Sequence, residues 1–572
     1  MHFQRISFWL FSTFISFRAV RAISNSTGTS PAAAATTYLN ITVEDLWNLY
    51  IGPVVTADVT TTIEPTPIPS SELIPPPPLY YPSYLSGQEF VAQTKNASWS
   101  FPKDFWWGVS SASYQVEGAA KAEGRGPGLW DAFTHRAQTI ADNATGDVAI
   151  NEYYTYKREI QRIAAMGVDV YSFSISWSRI FPFGNGQINE AGLKHYDDVI
   201  DTCIKYGVKP YVTLYHWDLP LYLQLAYGGW IDERIVDDFL AYAKVLFQRW
   251  ASKVPQWFTF NEPLSFCGEY PVPDGYFPKS TIPDAQQRFW CGRHMLLANA
   301  KAYKYARSIN ITAPISIKFN GGYKLPRTNS TQDKEAVNRA WAFQEGWFAD
   351  PLFLTGDYPS RVKNFTSQFL PEFTSEEKAM IKGSSDIFCH DAYTSKYYMA
   401  PDAGLASCLT NTSNSLYPLC YNNTVTLPDS EGGWLIGPAA DPNSAWLHKA
   451  TEWVPIFLRH IQDTWKPANG IVISEFGLTE PFEYYKTSRA DILTDPQRTA
   501  YYQDYVHAML MAIADGVNLV GALAWSIADN LEWTAGFTVK FGLQYVNRTT
   551  QERYYKASFF HLAKLFDEYR AT

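Results

Sequence analysis

Residues 257–263 read WFTFNEP and residues 471–477 read IVISEFG. Each is an apolar run of strand length with a glutamate at its end, Glu262 in the first and Glu475 in the second. Six further apolar runs of similar length are rich in Val, Ile, Phe and Tyr: DFWWGVSSA, VDVYSFSIS, KPYVTLYH, PISIKFN, SDIFCHDAY and LVGALAWS. Short apolar runs of this length indicate eight buried strands.

Longer segments with helical spacing separate these strands. Residues 188–208, INEAGLKHYDDVIDTCIKYGV, show the apolar period of a helix. Strands that alternate with helices predict a (β/α)8 TIM barrel with long loop insertions, and the pattern leaves a doubly wound open sheet as the alternative. The barrel is favoured because polar or ionisable residues end most strands, where the catalytic groups of such barrels lie: Gln115, His216, Asn261, Glu262, Tyr393, Glu475 and Trp525.

The composition is that of a globular protein without a basic surface. The chain has 572 residues, 46% of them hydrophobic, and a net charge of −9, which offers nothing to nucleic acid. The aromatic share is high at 16%. Aromatic rings stack on sugars, but they are more often part of a core.

The N-terminus predicts export. Residues 1–22 combine a basic start, an apolar run and a small-residue cleavage site, which indicates a signal peptide, with a retained anchor as the alternative. Residues 23–97 are rich in Pro, Thr and Ser and predict an extended, glycosylated stalk. Residues 38–52 could form one short helix there, although a plain spacer is preferred. Residues 98–572 then form the catalytic domain.

Sequons and cysteines support a secreted or extracellular location, including association with a cell wall. Ten N-x-S/T sequons occur, at Asn25, Asn40, Asn96, Asn143, Asn310, Asn329, Asn364, Asn411, Asn422 and Asn547. Six cysteines suit an oxidising compartment, and they allow fifteen full pairings. Cys408 could pair with Cys420 and Cys267 with Cys291, whereas Cys203 and Cys389 are expected to be buried free thiols. No CxxC or His/Cys cluster suggests a metal.

Glu262 and Glu475 are the residues that point to chemistry. Two carboxyl groups at different strand ends of one barrel can face each other across its mouth. Glycoside hydrolysis needs one carboxylic acid to protonate the leaving oxygen and one carboxylate to attack the anomeric carbon, about 5–5.5 Å apart in retaining enzymes. Their environments must also separate the two pKa values.

Six motifs in order, from about Phe101 to Lys564, resemble the family-1 glycoside hydrolases, the β-glucosidase family. The resemblance implies that Glu262, in WFTFNEP, is the acid/base and that Asn261 bonds the sugar's 2-hydroxyl. It implies that Glu475 is the nucleophile, because ISEFG stands where the family usually has TENG. No cofactor is expected.

The same resemblance assigns the non-reducing sugar's binding residues. FPKDFWWGVSSASYQVEGA is similar to the family's first motif, which gives Gln115 a bond to sugar hydroxyls. YVTLYHWDLP gives His216 a bond to the same sugar and places Trp217 at the site. An amide such as Gln115 offers both donors and acceptors to a hydroxyl.

Further motifs imply the walls of the pocket. WSIADNLEW resembles the sugar-binding WSLLDNFEW and makes Trp525 a stacking platform, Glu532 a ligand of the outer hydroxyls and Trp533 a wall. KFGLQYVNR places Phe541 at the pocket's rim. HKATEWVPIFLRH implies that Trp453 stacks on the leaving-group side, with a core position as the alternative.

Four residues depart from the family pattern. Ser172 stands where the family has an Arg beside the nucleophile, Phe476 replaces an Asn, and Asp391 and Ala392 replace Asn and Tyr in HDAYTS. Tyr393 keeps the position whose hydroxyl bonds the nucleophile. Loss of a cation raises a carboxyl's pKa unless another donor replaces it, and an extra carboxylate raises it too. We therefore expect an active enzyme with a shifted pH profile.

The expected activity is hydrolysis of terminal, non-reducing β-D-glucosyl residues from oligosaccharides or aryl glucosides. A β-galactosidase, β-fucosidase or transglycosidase of the same fold, and a catalytically silent sugar-binding protein, are the alternatives. Intact Glu262 disfavours a thioglucosidase, and the Glu532–Trp533 pair disfavours a 6-phospho-glycosidase. The style of the chain suggests a fungal source. We expect no stable insertion into a membrane, and N-glycans on several sequons.

Overall fold

Eight parallel strands form a closed barrel. The computed structural model describes residues 39–76, 99–268, 281–425 and 436–570. The barrel strands are β1 Trp106–Ser110, β2 Val170–Ser174, β3 Lys209–Tyr215, β4 Gln256–Asn261, β5 Ile315–Gly321, β6 Phe388–Ala392, β7 Ile471–Phe476 and β8 Leu519–Trp525. Each strand pairs with its neighbours in sequence, and β8 pairs with β1. All eight predicted strands are confirmed, and the open-sheet alternative is wrong.

A long helix follows each barrel strand. In chain order these helices are Glu152–Ala165, Glu190–Lys205, Arg234–Trp250, Asp284–Ser308, Thr331–Phe343, Trp453–Trp465, Pro496–Ala514 and Ala557–Tyr569. The predicted helix of residues 188–208 is confirmed as Glu190–Lys205, which begins where the Asn189 side chain accepts a hydrogen bond from the Ala191 amide. Its buried face is the one that the apolar spacing indicated.

Shorter elements fill the connections. The short helices are Val43–Tyr50, Ser113–Val116, Leu129–Thr134, Trp177–Ile180, Leu221–Tyr227, Pro263–Gly268, Glu345–Ala349, Ser360–Thr366, Ser375–Ile381, Leu405–Thr410 and Arg489–Leu493. Single 3₁₀ or π turns are Ser70–Leu73, Ala122–Gly124, Gly229–Ile231, Asp350–Thr355, Pro442–Ser444, Glu483–Tyr485 and Trp533–Ala535. Strands Lys324–Pro326, Lys396–Met399 and Asn422–Thr424 form one small sheet, and Gln544–Val546 pairs with Arg553–Tyr555. None of the described helices is long and apolar enough to span a bilayer.

Side chains fill the inside of the barrel. A separate buried cluster contains residues from, or next to, most strands: Val170, Tyr211, Phe258, Ile387, Cys389, Val472 and Leu523. Such layers make the barrel a packed core and not a channel. The cluster therefore closes the barrel below the strand ends at which a site can form.

The cysteine predictions are confirmed. Cys267 is bonded to Cys291, and Cys408 is bonded to Cys420. Cys203 and Cys389 are buried free thiols. The first disulfide joins the short helix that follows Glu262 to the helix Asp284–Ser308, so it anchors the segment directly behind a predicted catalytic residue.

Residues 39–76 differ from the expected spacer because they lie against the barrel. Thr42 and Asp45 cap the helix Val43–Tyr50 reciprocally, Leu46 and Trp47 are buried, and Trp47 Nε1 donates to the Arg125 carbonyl at 3.0 Å. The extended chain that follows is held by hydrogen bonds, among them Ile63 N to the Tyr154 carbonyl at 2.8 Å. The short helix that the sequence allowed is therefore present, and it docks. Residues 1–38 and 77–98, with the predicted signal peptide and the rest of the stalk, lie outside the described residues.

Replacing Trp47 tests whether this docking stabilises the protein. We expect Trp47→Ala to cost about 3 kcal/mol locally, because a buried aromatic ring leaves a cavity. Limited proteolysis should then release the N-terminal segment sooner, ahead of global thermal unfolding. Leu49→Ala is the matched control, since Leu49 is on the same helix and 70% exposed. Equal protease resistance of the two variants would contradict the docking.

Candidate active site

A cavity of about 980 Å³ opens at the carboxyl ends of the barrel strands. Ten of the twelve predicted site residues line it: His216, Trp217, Asn261, Glu262, Tyr393, Glu475, Trp525, Glu532, Trp533 and Phe541. The other two are Gln115 and Trp453. Residues far apart in the chain thus meet because the parallel strands all end at one rim.

Glu262 and Glu475 face each other in this cavity. One carboxyl oxygen of each lies within 4.8 Å of the other. Inverting glycosidases need about 6.5–9.5 Å between the two groups, so the separation fits the retaining geometry. Glu262 has a left-handed backbone (φ +49), its amide donates to the Lys318 carbonyl at 2.9 Å, and Ser265 Oγ donates to its Oε2 at 2.9 Å.

Two side chains hold the Glu475 carboxylate. The Tyr393 hydroxyl donates to Oε2 at 2.9 Å, and the Lys318 ammonium lies 3.6 Å from Oε1. Burial raises the pKa of Glu475, and Lys318 and Tyr393 act against that rise. The carboxylate is therefore buried but has one cation and one hydroxyl to stabilise its charge.

Lys318 is the functional candidate that the sequence reasoning missed. It lies in the apolar strand β5 and is almost fully buried, and its ammonium lies over the Phe258 ring at 4.9 Å. The only signal in the sequence was a lysine inside the apolar run PISIKFN. Lys318 supplies a cation next to Glu475, where the family uses an Arg at the position of Ser172. Another donor thus replaces the missing Arg and acts against the rise in the pKa of Glu475.

The other departures divide into two kinds. Phe476 packs on Tyr505, with ring centroids 4.8 Å apart, and does not line the cavity. Asp391 lines it, opposite Glu475 in the strand register, and accepts a hydrogen bond from Ser474 Oγ at 2.6 Å. Burial and the nearby Glu475 charge raise the pKa of Asp391 well above its ordinary value.

Three carboxyl groups therefore share one end of the cavity. Oxygens of Glu262, Asp391 and Glu475 lie within 4.8 Å of one another, a grouping that could hold a metal ion. The Lys318 ammonium already provides positive charge beside Glu475. Among the described groups, these carboxyls form the densest array of ionisable oxygens in the cavity.

His216, Asn261 and Trp217 form one connected side of the cavity. Asn261 Nδ2 and His216 Nε2 are 3.2 Å apart, and Trp217 Nε1 donates to the Asn261 carbonyl at 3.1 Å. Burial lowers the pKa of His216 well below its ordinary value, so the ring is neutral. His216 Nδ1 and Asn261 Oδ1 are buried without a hydrogen-bond partner among the described residues, which leaves both able to bind hydroxyls.

Gln115 lies beneath the cavity lining and contacts it through Glu532. Its Nε2 donates to Glu532 Oε2 at 3.2 Å and to the Leu531 carbonyl at 2.9 Å. Burial, and then the Glu475 charge, raise the pKa of Glu532 to about 8. Aromatic rings close this end, with Trp217 and Trp533 at 4.4 Å between centroids.

Trp453 does not occupy the predicted position. It is 4% exposed, its Nε1 donates to the Ala450 carbonyl at 2.8 Å, and it is absent from the cavity lining. The reason is its place as first residue of a helix whose apolar face packs inward, as the core alternative allowed. Trp446 lines the cavity instead, 45% exposed and edge-on to Tyr393 at 5.6 Å. No pattern in the sequence marked it.

Comparisons with known proteins agree on one family. Residues 97–570 match the family model described as glycosyl hydrolase family 1. The chain is 39% identical over 477 residues to β-glucosidase 40 of Arabidopsis thaliana, covering 80% of this chain and 91% of that one. It is also similar to the crystal structure of the β-glucosidase from Trichoderma harzianum, with TM-score 0.76, 34% identity and coverage of 83% and 99%. A Humicola insolens β-glucosidase in complex with glucose gives TM-score 0.75, 35% identity and coverage of 82% and 99%.

The charges around Glu475 predict the pH dependence of hydrolysis. Lys318→Met removes a cation, so the pKa of Glu475 should rise by about one unit or more. Because a carboxylate that acts as nucleophile must be ionised, we expect the acid limb of kcat/KM for an aryl β-glucoside to move to higher pH if Glu475 has this role.

Asp391→Asn is the matched control, because it changes the charge next to Glu475 in the opposite direction. It removes a like charge, so the acid limb should stay or move to lower pH, never upward. Lys318→Arg should keep the wild-type profile. An acid limb that does not move in Lys318→Met would contradict the role of this cation.

Proposed function

The chain belongs to glycosyl hydrolase family 1, and we propose that it removes terminal, non-reducing β-D-glucosyl residues by double displacement between Glu262 and Glu475. The observation that carries the mechanism is the short separation of their oxygens, within 4.8 Å. The chain is a glycoside hydrolase of the β-glucosidase type, as its named relatives are.

In the first step Glu475 attacks the anomeric carbon while Glu262 protonates the leaving oxygen. The Lys318 ammonium beside Oε1 and the Tyr393 hydroxyl, which donates to Oε2, stabilise the charge of Glu475 and orient its carboxylate. Ser265 fixes one oxygen of Glu262. The glycosidic bond breaks, the alcohol leaves with the proton of Glu262, and the sugar is esterified to Glu475.

In the second step Glu262, now a carboxylate, takes a proton from water as that water attacks the same carbon. Glu475 leaves as a carboxylate, and the sugar is released with its β configuration retained. Lys318 and Tyr393 stabilise the charge that returns to Glu475.

We assign sugar binding to the polar groups around these carboxylates. Glu532, oriented by Gln115, would accept hydrogen bonds from outer hydroxyls, and the unpartnered atoms of His216 and Asn261 would bind others. Trp525, Trp533, Trp217 and Phe541 would form the apolar walls against which a sugar ring packs. A relative described in complex with glucose supports a glucosyl preference. The β-galactosidase, β-fucosidase and transglycosidase alternatives lack such support.

We also propose secretion, with residues 1–22 as signal peptide and N-glycans on several sequons. Seven of the sequon asparagines within the described ranges are exposed: Asn40, Asn143, Asn310, Asn329, Asn364, Asn411 and Asn422. Two disulfides suit an oxidising compartment. Treatment of the exported protein with an endoglycosidase should lower its apparent mass, and an unchanged mass would remove this support.

Substituting each glutamate separates the two chemical roles. Glu475→Gln should lower kcat more than about a thousandfold on every aryl β-glucoside, because no nucleophile remains. Glu262→Gln should be as severe for a poor leaving group but should form the glycosyl-enzyme readily from a dinitrophenyl glucoside, whose departure needs no proton. Stopped-flow release of the phenol measures the first step.

Glu233→Gln is the control, because Glu233 is an exposed glutamate that does not line the cavity. Its kinetics should equal those of the wild type. Failure of the wild type to hydrolyse any β-glucoside would overturn the proposed function. Equal leaving-group dependence of Glu262→Gln and Glu475→Gln would overturn the division of roles.

A further inference from the structure

Acidic and basic side chains are segregated along the cavity. The acidic side chains of its lining are Glu262, Asp391, Glu475 and Glu532, and the basic ones are Arg288 and Lys396. Glu532 and its partner Gln115 come from the segments after β8 and β1, at the sugar end. Lys396 comes from the segment after β6, beyond Tyr393, so a cation lies on the opposite side of the reacting carboxylates.

The strand that carries Lys396 holds it in place. Lys396 begins the short strand Lys396–Met399, is opposite Lys324 in the register, and its amide donates to the Tyr323 carbonyl at 3.3 Å. The two lysines differ in their surroundings. Lys324 is fully buried and paired with Glu345, whose oxygens also contact His390 and the Gly322 amide. Glu345 therefore already pairs with Lys324 and does not form an ion pair with Lys396.

Lys396 has no counter-charge among the described residues. It is half-buried, burial lowers its pKa, and its ammonium makes no hydrogen bond or ion pair with any residue that the structure describes. The charged neighbours that it influences are Lys324 and His448, and neither is an anion. A partly desolvated cation without a partner is stabilised by an anion that enters the cavity. Arg288 donates to the Gly268 carbonyl, so the argument rests on Lys396.

An exposed aromatic ring lies in the same region. Trp446 is 45% exposed, lines the cavity and contacts Tyr393, whose hydroxyl bonds the Glu475 carboxylate. His448, two residues on, is the group whose charge Lys396 disfavours. A flat apolar body that stacks on Trp446 thus lies within reach of both the reacting centre and the free ammonium.

We propose that the leaving-group end of this cavity selects aryl or similarly flat aglycones that carry an anionic group, with Lys396 as the counter-charge and Trp446 as the stacking surface. The inference rests on the proposed function and adds the substrate class to it. A carboxylate on the leaving group would accept charge-assisted hydrogen bonds from the Lys396 ammonium. Such bonds raise kcat/KM when they form on the way to the transition state.

Two matched substrates test the inference. They are 4-(carboxymethyl)phenyl β-D-glucoside and its 4-(carbamoylmethyl)phenyl amide, whose methylene group insulates the phenol oxygen from the charge. Wild-type kcat/KM should favour the anion about fivefold. Lys396→Met should reduce the ratio to about one or less, because kcat/KM for the anion should fall more than kcat/KM for the amide, and Lys396→Arg should keep the preference. Added salt should reduce the wild-type ratio.

Lys382→Met is the matched control. It removes the same charge from an exposed lysine that precedes β6, at the amino end of the barrel, so its substrate ratio should equal that of the wild type. Hydrolysis of both substrates without a preference for the anion, or a preference that survives Lys396→Met, overturns the inference and leaves the hydrolase activity standing. Hydrolysis of neither substrate nor any neutral aryl glucoside overturns the proposed function instead.

Discussion

The pairing of β8 with β1 is the constraint on which the rest of the molecule depends. Residues Trp106–Ser110 lie in register with Gly521–Trp525, and this pairing closes the sheet. Closure satisfies the backbone groups of both edges and forces eight carboxyl ends onto one rim. Side chains from opposite ends of the chain then meet, so that Gln115 contacts Glu532. The packed cluster inside the barrel keeps this rim shallow, and the cavity forms above it.

Charge balance inside the rim follows from that crowding. A buried carboxylate is costly unless a cation or several donors stabilise it. Glu475 obtains its cation from β5, two strands away, because Lys318 passes over the Phe258 ring to reach it. The serine at 172 and the aspartate at 391 are changes to the same balance, since one removes a position for a cation and the other adds an acid. A positive charge thus remains next to Glu475, on a strand other than β2.

Much of the fold and of the candidate site could be predicted from local patterns in the sequence. The eight strands and the helix after β2 follow from the apolar period, and the ten cavity-lining residues come from motifs at the strand ends and from the family resemblance. Both disulfides were among the pairings that the sequence left open. Lys318 could not be predicted in its role, because its contact with Glu475 crosses between strands that are not neighbours. The position of Trp453 could not be predicted, because the direction of a ring at a helix start depends on tertiary packing. The docking of residues 39–76 rests on contacts with residues that follow much later in the chain.

Residues 39–76 form an N-terminal segment that is held on the barrel by contacts with residues much later in the chain. Its contacts extend from Leu39, whose amide donates to the Tyr222 hydroxyl, to Glu72, which pairs with Arg162. The contacts of residues 39–76 named here are non-covalent, and the peptide chain continues from them to the barrel through residues 77–98. After a single peptide cleavage in that connection, we expect the two fragments to stay associated through the non-covalent contacts of residues 39–76. The segment would then behave as a removable part of the enzyme's surface, with an affinity of its own.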